Sequence, residues 1–323
     1  MEKRRLGNSN LEVSRLCFGG NVFGWTADEN TSLKLLDGFV DAGFNFVDTA
    51  DSYSTWVAGH KGGESETVIG KWFTMRGNRD KLILATKVGS EVAGRKGLSK
   101  NYILSEVEHS LRRLQTDYID LYQSHRDDAN TPVEETLEAY SQLVKQGKVR
   151  VIGASNFTVE RLEMSLQAGR KHGYPRYESL QPNYNLYDRA DYETRLEPLC
   201  VKEHIGVIPY FSLASGFLTG KYRTQADLEN SARGKFVQKY MNERGLRIVA
   251  ALEQVAKQKG STPARVAIAW LLARPSVTAP IASATSMEQL NELIEATRLK
   301  LDAHTLEILN EASAYEGEAE KIA

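Results

Sequence analysis

Short apolar runs recur along the chain, beginning near Leu16, Asn45, Leu82, Tyr118, Val149, Tyr177, Ile205 and Val277. Each is followed by a longer stretch with helical periodicity, the alternation that a parallel sheet with crossover helices demands. Eight such units predict an α/β fold, a (β/α)8 TIM barrel with strands inside and helices outside. Helix signals agree with the count. Ser99 is placed to cap a helix in which Ile103, Val107, Leu111 and Leu114 form one apolar stripe. Ser261-Thr262-Pro263 offers a cap and an early proline before the run Val266 to Ala273, with Pro275 after it. Gly147 stands where a helix must stop ahead of the strand starting at Val149.

The repeat is interrupted in three places. Before the first barrel strand, Arg4 to Ser14 reads as a hairpin with the turn Gly7-Asn8-Ser9-Asn10, expected to plug the bottom of the barrel. Between Tyr210 and Val277 a loop of small and polar residues precedes two helical segments, Glu243 to Gly260 and Ser261 to Arg274, so one helix is extra. The tail from Leu301 reads as one more amphipathic helix followed by a polar end, Glu316 to Ala323. With no linker or low-complexity segment, the expectation is one domain over residues 1–323: a barrel with an N-terminal β-hairpin and two extra helices.

Composition narrows the partners. Lys and Arg number 41 against 42 Asp and Glu, so no net field gathers nucleic acid or an acidic membrane surface. Cys17 and Cys200 lie far apart and form no CxxC pair, which points to buried apolar thiols and a reducing, cytoplasmic setting. No apolar run approaches the roughly 20 residues of a membrane span, and the N-terminus has no apolar signal core. The oligomeric state is not legible.

The candidate chemistry sits at the strand ends. Asp48, Tyr53, Lys87 and His125 each fall at or just past the end of a short apolar run. Singly, each has an ordinary explanation: a capping carboxylate, a solvated lysine, a structural histidine. Jointly, they place a phenol, an ammonium, a carboxylate and an imidazole at the end of a barrel where its chemistry is found. That set suits proton donation to a carbonyl once another group supplies hydride. No GxGxxG occurs, and Gly216-Phe-Leu-Thr-Gly220-Lys221-Tyr222 falls short of a Walker loop in spacing and in its Tyr. Beyond the seventh strand, this segment is instead placed to hold phosphate, with Lys221 as a point charge. No histidine pair supports a metal site, and none is expected. Phe23, Trp25, Trp56 and Arg126 lie on loops at the catalytic end and suggest an apolar, partly aromatic substrate pocket. The glycine-rich insert Ser54 to Gly63 is placed to gate it.

Several stretches together resemble the aldo-keto reductase family. They are Asn45-Phe-Val-Asp-Thr-Ala-Asp-Ser-Tyr53, Ala85-Thr-Lys-Val-Gly89, Asp120-Leu-Tyr-Gln-Ser-His-Arg126, Gly147 to Phe157, Gln181-Pro-Asn-Tyr-Asn185, Tyr210 to Tyr222 and Glu288-Gln-Leu290. The resemblance is to bacterial members related to the potassium-channel β subunits. It implies a (β/α)8 barrel that reduces aldehydes and ketones with NADPH, possibly NADH, and needs no metal. It further implies that Tyr53 donates the proton, that Lys87 lowers its pKa, that Asp48 holds Lys87 and that His125 orients the carbonyl. Gly20 and Asn21 would close over the cofactor, which Asp48 also touches. Ser155, Asn156 and Gln181 would bind its carboxamide, and Tyr210 would stack on the nicotinamide. Phe211, Ser212, Leu213, Gly216 and Lys221 would wrap the pyrophosphate, and Ser283, Thr285, Gln289 and Glu292 the adenosine. Many members carry an arginine near the last helix for the 2′-phosphate. Here Ala282 to Gln289 has no cation, and Lys221, Arg223 or Arg233 would supply the charge. The competing reading is a binding module that holds NADP as a redox sensor on a partner protein with little turnover.

Overall fold

The apolar runs become parallel neighbours in one sheet. The computed structural model describes residues 2–229, 231 and 234–315; Arg233 and the polar end Glu316 to Ala323 lie outside the described residues. Strands β1 (Lys3–Arg5) and β2 (Glu12–Ser14) form an antiparallel hairpin. The eight-stranded sheet comprises β3 (Cys17–Gly19), β4 (Phe46–Asp48), β5 (Ile83–Val88), β6 (Ile119–Ser124), β7 (Val149–Ser155), β8 (Tyr177–Gln181), β9 (Gly206–Val207) and β10 (Ile281–Ala282). Its order is β10-β3-β4-β5-β6-β7-β8-β9, so β3 to β9 are neighbours in chain order and β10 pairs with β3.

Crossover helices connect them: α1 (Glu29–Asp41), α2 (Glu64–Arg76), α3 (Lys100–Leu114), α4 (Val133–Lys145), α5 (Val159–His172) and α6 (Glu197–Lys202). Between β9 and β10 lie α7 (Gln225–Glu229), α8 (Gly234–Val237), α9 (Glu243–Lys259) and α10 (Pro263–Leu272); α11 (Met287–Ala296) and α12 (Ala303–Ala312) follow β10. Among the described residues no helix is long and apolar enough to cross a membrane.

Strand alternation sorts the core into two shells. Leu6, Leu11 and Val13 of the hairpin pack with Cys17, Phe46, Ala85, Leu121, Ile208 and Ile281 from the strands. This is the packing a hairpin set across the strand ends produces. The turn depends on Gly7, which has φ +57°; a Cβ there would lie 2.2 Å from the Glu178 carbonyl oxygen. The opposite strand faces meet the helices, as in the stack Phe18, Phe39 and Phe44 with centroids 5.1 and 5.0 Å apart.

Three details differ from expectation. The last paired strand starts at Ile281 rather than Val277. Val277 makes only an isolated bridge to Val207, and Pro280 has no N–H to continue a ladder. Around that proline, Thr278 N donates to Val207 O at 2.8 Å and Ile281 N to Pro209 O at 2.9 Å, while Pro280 O accepts from Cys17 N at 3.0 Å. The loop after Tyr210 contains α7 and α8, which are too short for a periodic stripe and are anchored by buried Leu228 and Val237. Ser99 occupies the cap position of α3 without a side-chain cap bond; Glu135 of α4 accepts instead from Lys100 N at 2.9 Å. As the stretch Ser261-Thr262-Pro263 leads one to expect, Thr262 caps α10, with Pro263 as its first residue.

Candidate active site

The inward-facing residues Phe46, Ala85 and Leu121 are core, and two positions further along each strand stand Asp48, Lys87 and Gln123. Parallel register puts Asp48 beside Ala85 and Lys87 beside Gln123, so three polar side chains meet above the apolar plug. The Lys87 ammonium is fully buried and spends its donors on Asp48 Oδ2 (2.6 Å), Thr49 O (2.8 Å) and Tyr53 OH (2.7 Å). Tyr53 OH donates in turn to Asp48 Oδ2 at 3.2 Å. Asp48 Oδ1 accepts from Gln123 Nε2 (3.1 Å) and Gln181 Nε2 (2.9 Å). A buried ion pair satisfied at every oxygen holds the phenol in one place.

His125 follows β6. Its ring lies edge-on to Tyr53, 6.0 Å between centroids, and Nδ1 is 3.3 Å from Ser52 Oγ. Burial, then the charges of Lys87 and Arg126, pull its pKa well below the ordinary value, so the imidazole is neutral with one N–H to donate. The Lys87 ammonium, 2.7 Å from the phenol oxygen, stands where its charge favours the phenolate. Burial, followed by the charge and hydrogen bond of Asp48, holds the phenol well above its ordinary value. Tyr53 therefore keeps its proton at neutral pH, the state a donor requires.

A second network runs to β9. Asn156, at φ +55°, donates to His125 O at 2.9 Å and accepts from Tyr210 OH at 2.7 Å; Ser155 Oγ donates to Gln181 O at 2.9 Å. After Tyr210 the backbone turns through left-handed Phe211, Ala214, Ser215 and Gly216, with Ser212 bonded to Pro209 O and Leu213 half-buried. The Lys221 side chain folds back over Gly216, where a Cβ would meet Cε at 3.4 Å and Nζ at 3.5 Å. Its ammonium lies 5.0 Å over the Tyr222 ring, and among the described residues no carboxylate pairs with it. Arg223 is ion-paired with Glu253 and bonded to Gly220 O.

Across the sheet seam, Gly20 is buried, and Asn21 Oδ1 accepts from Ser283 Oγ at 2.5 Å. Thr285 N donates to Gln289 Oε1 at 2.9 Å. Glu292 accepts from Thr262 Oγ1 and Arg265, each at 2.5 Å, so its charge is already neutralised. Among the described residues no cluster of three or more His, Cys, Asp or Glu is arranged to hold a metal.

On the substrate side, Phe23 is corrected. It is fully buried, edge-on to Phe18 at 5.5 Å, and belongs to the core because Val22 and Phe23 close a turn beneath the site. Trp56 is 50% exposed, 6.0 Å from the Tyr53 ring and 5.6 Å from that of Trp25. Arg126 is exposed beside His125.

Sequence reasoning missed Gln123, Ser52 and Asp51. Inward alternation after Leu121 was the available signal for Gln123. Asp51 carried none: it is fully buried, and neither carboxyl oxygen has a hydrogen-bond partner among the described residues. Burial, then Glu66 and Glu106, push its pKa well above the usual carboxylate range. The unfolded chain releases this proton near pH 4 while the fold retains it, so stability falls as pH rises from there toward the folded-state pKa. Asp51→Asn removes that dependence. Its stability relative to wild type is expected to grow by about 1.4 kcal/mol per pH unit above pH ~5. Urea unfolding of both proteins at a series of pH values measures this, and parallel curves would show Asp51 to be ionised.

A family model described as the aldo/keto reductase family matches residues 15–314. The uncharacterized oxidoreductase YrpG of Bacillus subtilis is 36% identical over 96% of this chain and 95% of its own length. The protein tas of Escherichia coli is 33% identical over 95% and 96%. A probable voltage-gated potassium channel subunit beta of Arabidopsis thaliana is 33% identical over 92% and 91%.

Proposed function

The chain belongs to the aldo/keto reductase family, oxidoreductases of small carbonyl compounds that typically bind a nicotinamide cofactor, and we propose that it reduces aldehydes or ketones to alcohols with NADPH and with Tyr53 as proton donor. The observation that carries this reading is the buried knot in which Lys87 donates to both Asp48 and Tyr53. The fold is one closed (β/α)8 barrel in a single domain; the bonds of Thr278 and Ile281 to Val207 and Pro209 support closure between β9 and β10. Two free, buried cysteines fit a cytoplasmic setting.

The residues present fit a dinucleotide. The left-handed run from Phe211 to Gly216 suits a pyrophosphate, and the Lys221 ammonium beside it, which no carboxylate pairs with among the described residues, is left for a further phosphate. Ser155, Asn156, Gln181 and Tyr210 line the nicotinamide end, and Asn21, Ser283, Thr285 and Gln289 the adenosine end. When bound, the cofactor supplies hydride to the carbonyl carbon. The neutral His125 N–H polarises the carbonyl oxygen, and Tyr53 gives it a proton. Lys87, 2.7 Å from the phenol oxygen, stabilises the phenolate left behind.

We assign the preference for NADPH to Lys221, since Arg223 is ion-paired with Glu253 and Arg233 lies outside the described residues. A charge-assisted contact is worth roughly 1.5 to 3 kcal/mol, so Lys221→Met is expected to narrow the preference over NADH about tenfold or more. Loss of the cofactor's near-ultraviolet absorbance with a panel of aldehydes and ketones, using each cofactor, tests both points. Equal weakening with NADPH and NADH would put Lys221 on the pyrophosphate, and no turnover with any carbonyl would favour the sensor reading that the channel-subunit relative suggests.

A further inference from the structure

Among the described residues Arg126, next to His125 beyond the end of β6, is a charge without an ion-pair partner. It is exposed; its charge adds to the burial that lowers the His125 pKa and works against the burial that raises that of Tyr210. The next two residues are acids, the obvious partners for it. Both are turned elsewhere: Asp127 accepts from Arg161 Nε at 2.8 Å, and Asp128 from Leu98 N at 2.9 Å and Thr131 Oγ1 at 2.6 Å. Among the described residues no carboxylate pairs with Arg126, whereas Arg113, Arg161, Arg189 and Arg265 are all in ion pairs. The two acids that follow this arginine are thus both satisfied by other groups.

From the Tyr53 ring, edge-on contacts lead outward to the half-exposed Trp56 and on to Trp25. An apolar plane on one side of the phenol and imidazole, and a free guanidinium beside the imidazole, describe a carbonyl compound with a flat body and an anionic end. We propose that the preferred substrates are aromatic aldehydes or ketones bearing a carboxylate, with Arg126 as the specificity-determining residue and Trp56 as the surface under the ring. A guanidinium offers two parallel N–H donors to a carboxylate, a fork that a lysine lacks. The inference rests on the carbonyl-reductase reading.

The test compares 4-carboxybenzaldehyde with its methyl ester, two substrates of the same body that differ in charge, at saturating NADPH. Wild type is expected to favour the acid in kcat/KM. Arg126→Gln is expected to lower the acid-to-ester ratio about tenfold, chiefly through KM, and Arg126→Glu to lower it further and to favour 4-(trimethylammonio)benzaldehyde. Trp56→Ala is expected to raise KM for both aromatic compounds and to leave that ratio standing. An unchanged ratio in the Arg126 variants overturns the proposal while the reductase reading survives. So does a loss of NADPH affinity in Arg126→Gln, which would assign the arginine to the cofactor. If wild type reduces neither aldehyde nor any other carbonyl, both readings fall.

Discussion

Lys87→Met is expected to cut carbonyl reduction by about 10²- to 10⁴-fold, the range of a lost acid–base function, and to destabilise the fold by about 3 to 5 kcal/mol. Two causes act together. The phenolate that forms as Tyr53 gives up its proton loses the ammonium 2.7 Å away, and the Asp48 carboxylate is left buried with only neutral donors, Gln123 and Gln181, on Oδ1. The two effects separate in the double variant Asp48→Asn, Lys87→Met. With both charges gone, stability is expected to recover most of the loss, because a neutralised pair no longer carries an uncompensated buried ion. Turnover is not expected to return. Single-turnover oxidation of bound NADPH and urea unfolding of the three proteins supply both readouts. Recovery of turnover along with stability would reduce Lys87 to a structural role.

For Tyr53→Phe the loss falls on chemistry alone, again about 10²- to 10⁴-fold in turnover. The ring remains against Trp56 and His125, and Lys87 keeps its bonds to Asp48 and Thr49 O, so stability is expected to change by only about 1 kcal/mol. Cofactor affinity is expected to stay near that of wild type, since among the described residues the hydroxyl bonds only to Asp48 and Lys87. Protein fluorescence quenching by NADPH measures affinity, and steady-state rates with the best carbonyl measure turnover. A variant that turns over at close to the wild-type rate would remove Tyr53 from the chemistry and move the search for a donor to His125.

The sequence by itself determined the periodic features and the residue types at their ends. Apolar runs at Asn45, Leu82 and Tyr118 predict strands because burial on a sheet selects β-branched and apolar residues locally, and Asp48, Lys87 and His125 stand out because they break those runs. The hairpin was legible for the same reason: its turn residues and alternation lie within a dozen positions. Tertiary structure alone decided which side chains face one another. Gln123 and Gln181 converge on Asp48 only through the register of β5 to β8, and Glu292 is neutralised by an arginine 27 residues away. Phe23, read as pocket, is core, because one turn of backbone sets its direction. The upward push on Tyr53 and Asp51 comes from burial and from carboxylates brought near by folding. Periodicity is a local property of the chain, whereas electrostatic environment is a sum over neighbours that exists only once distant strands have paired.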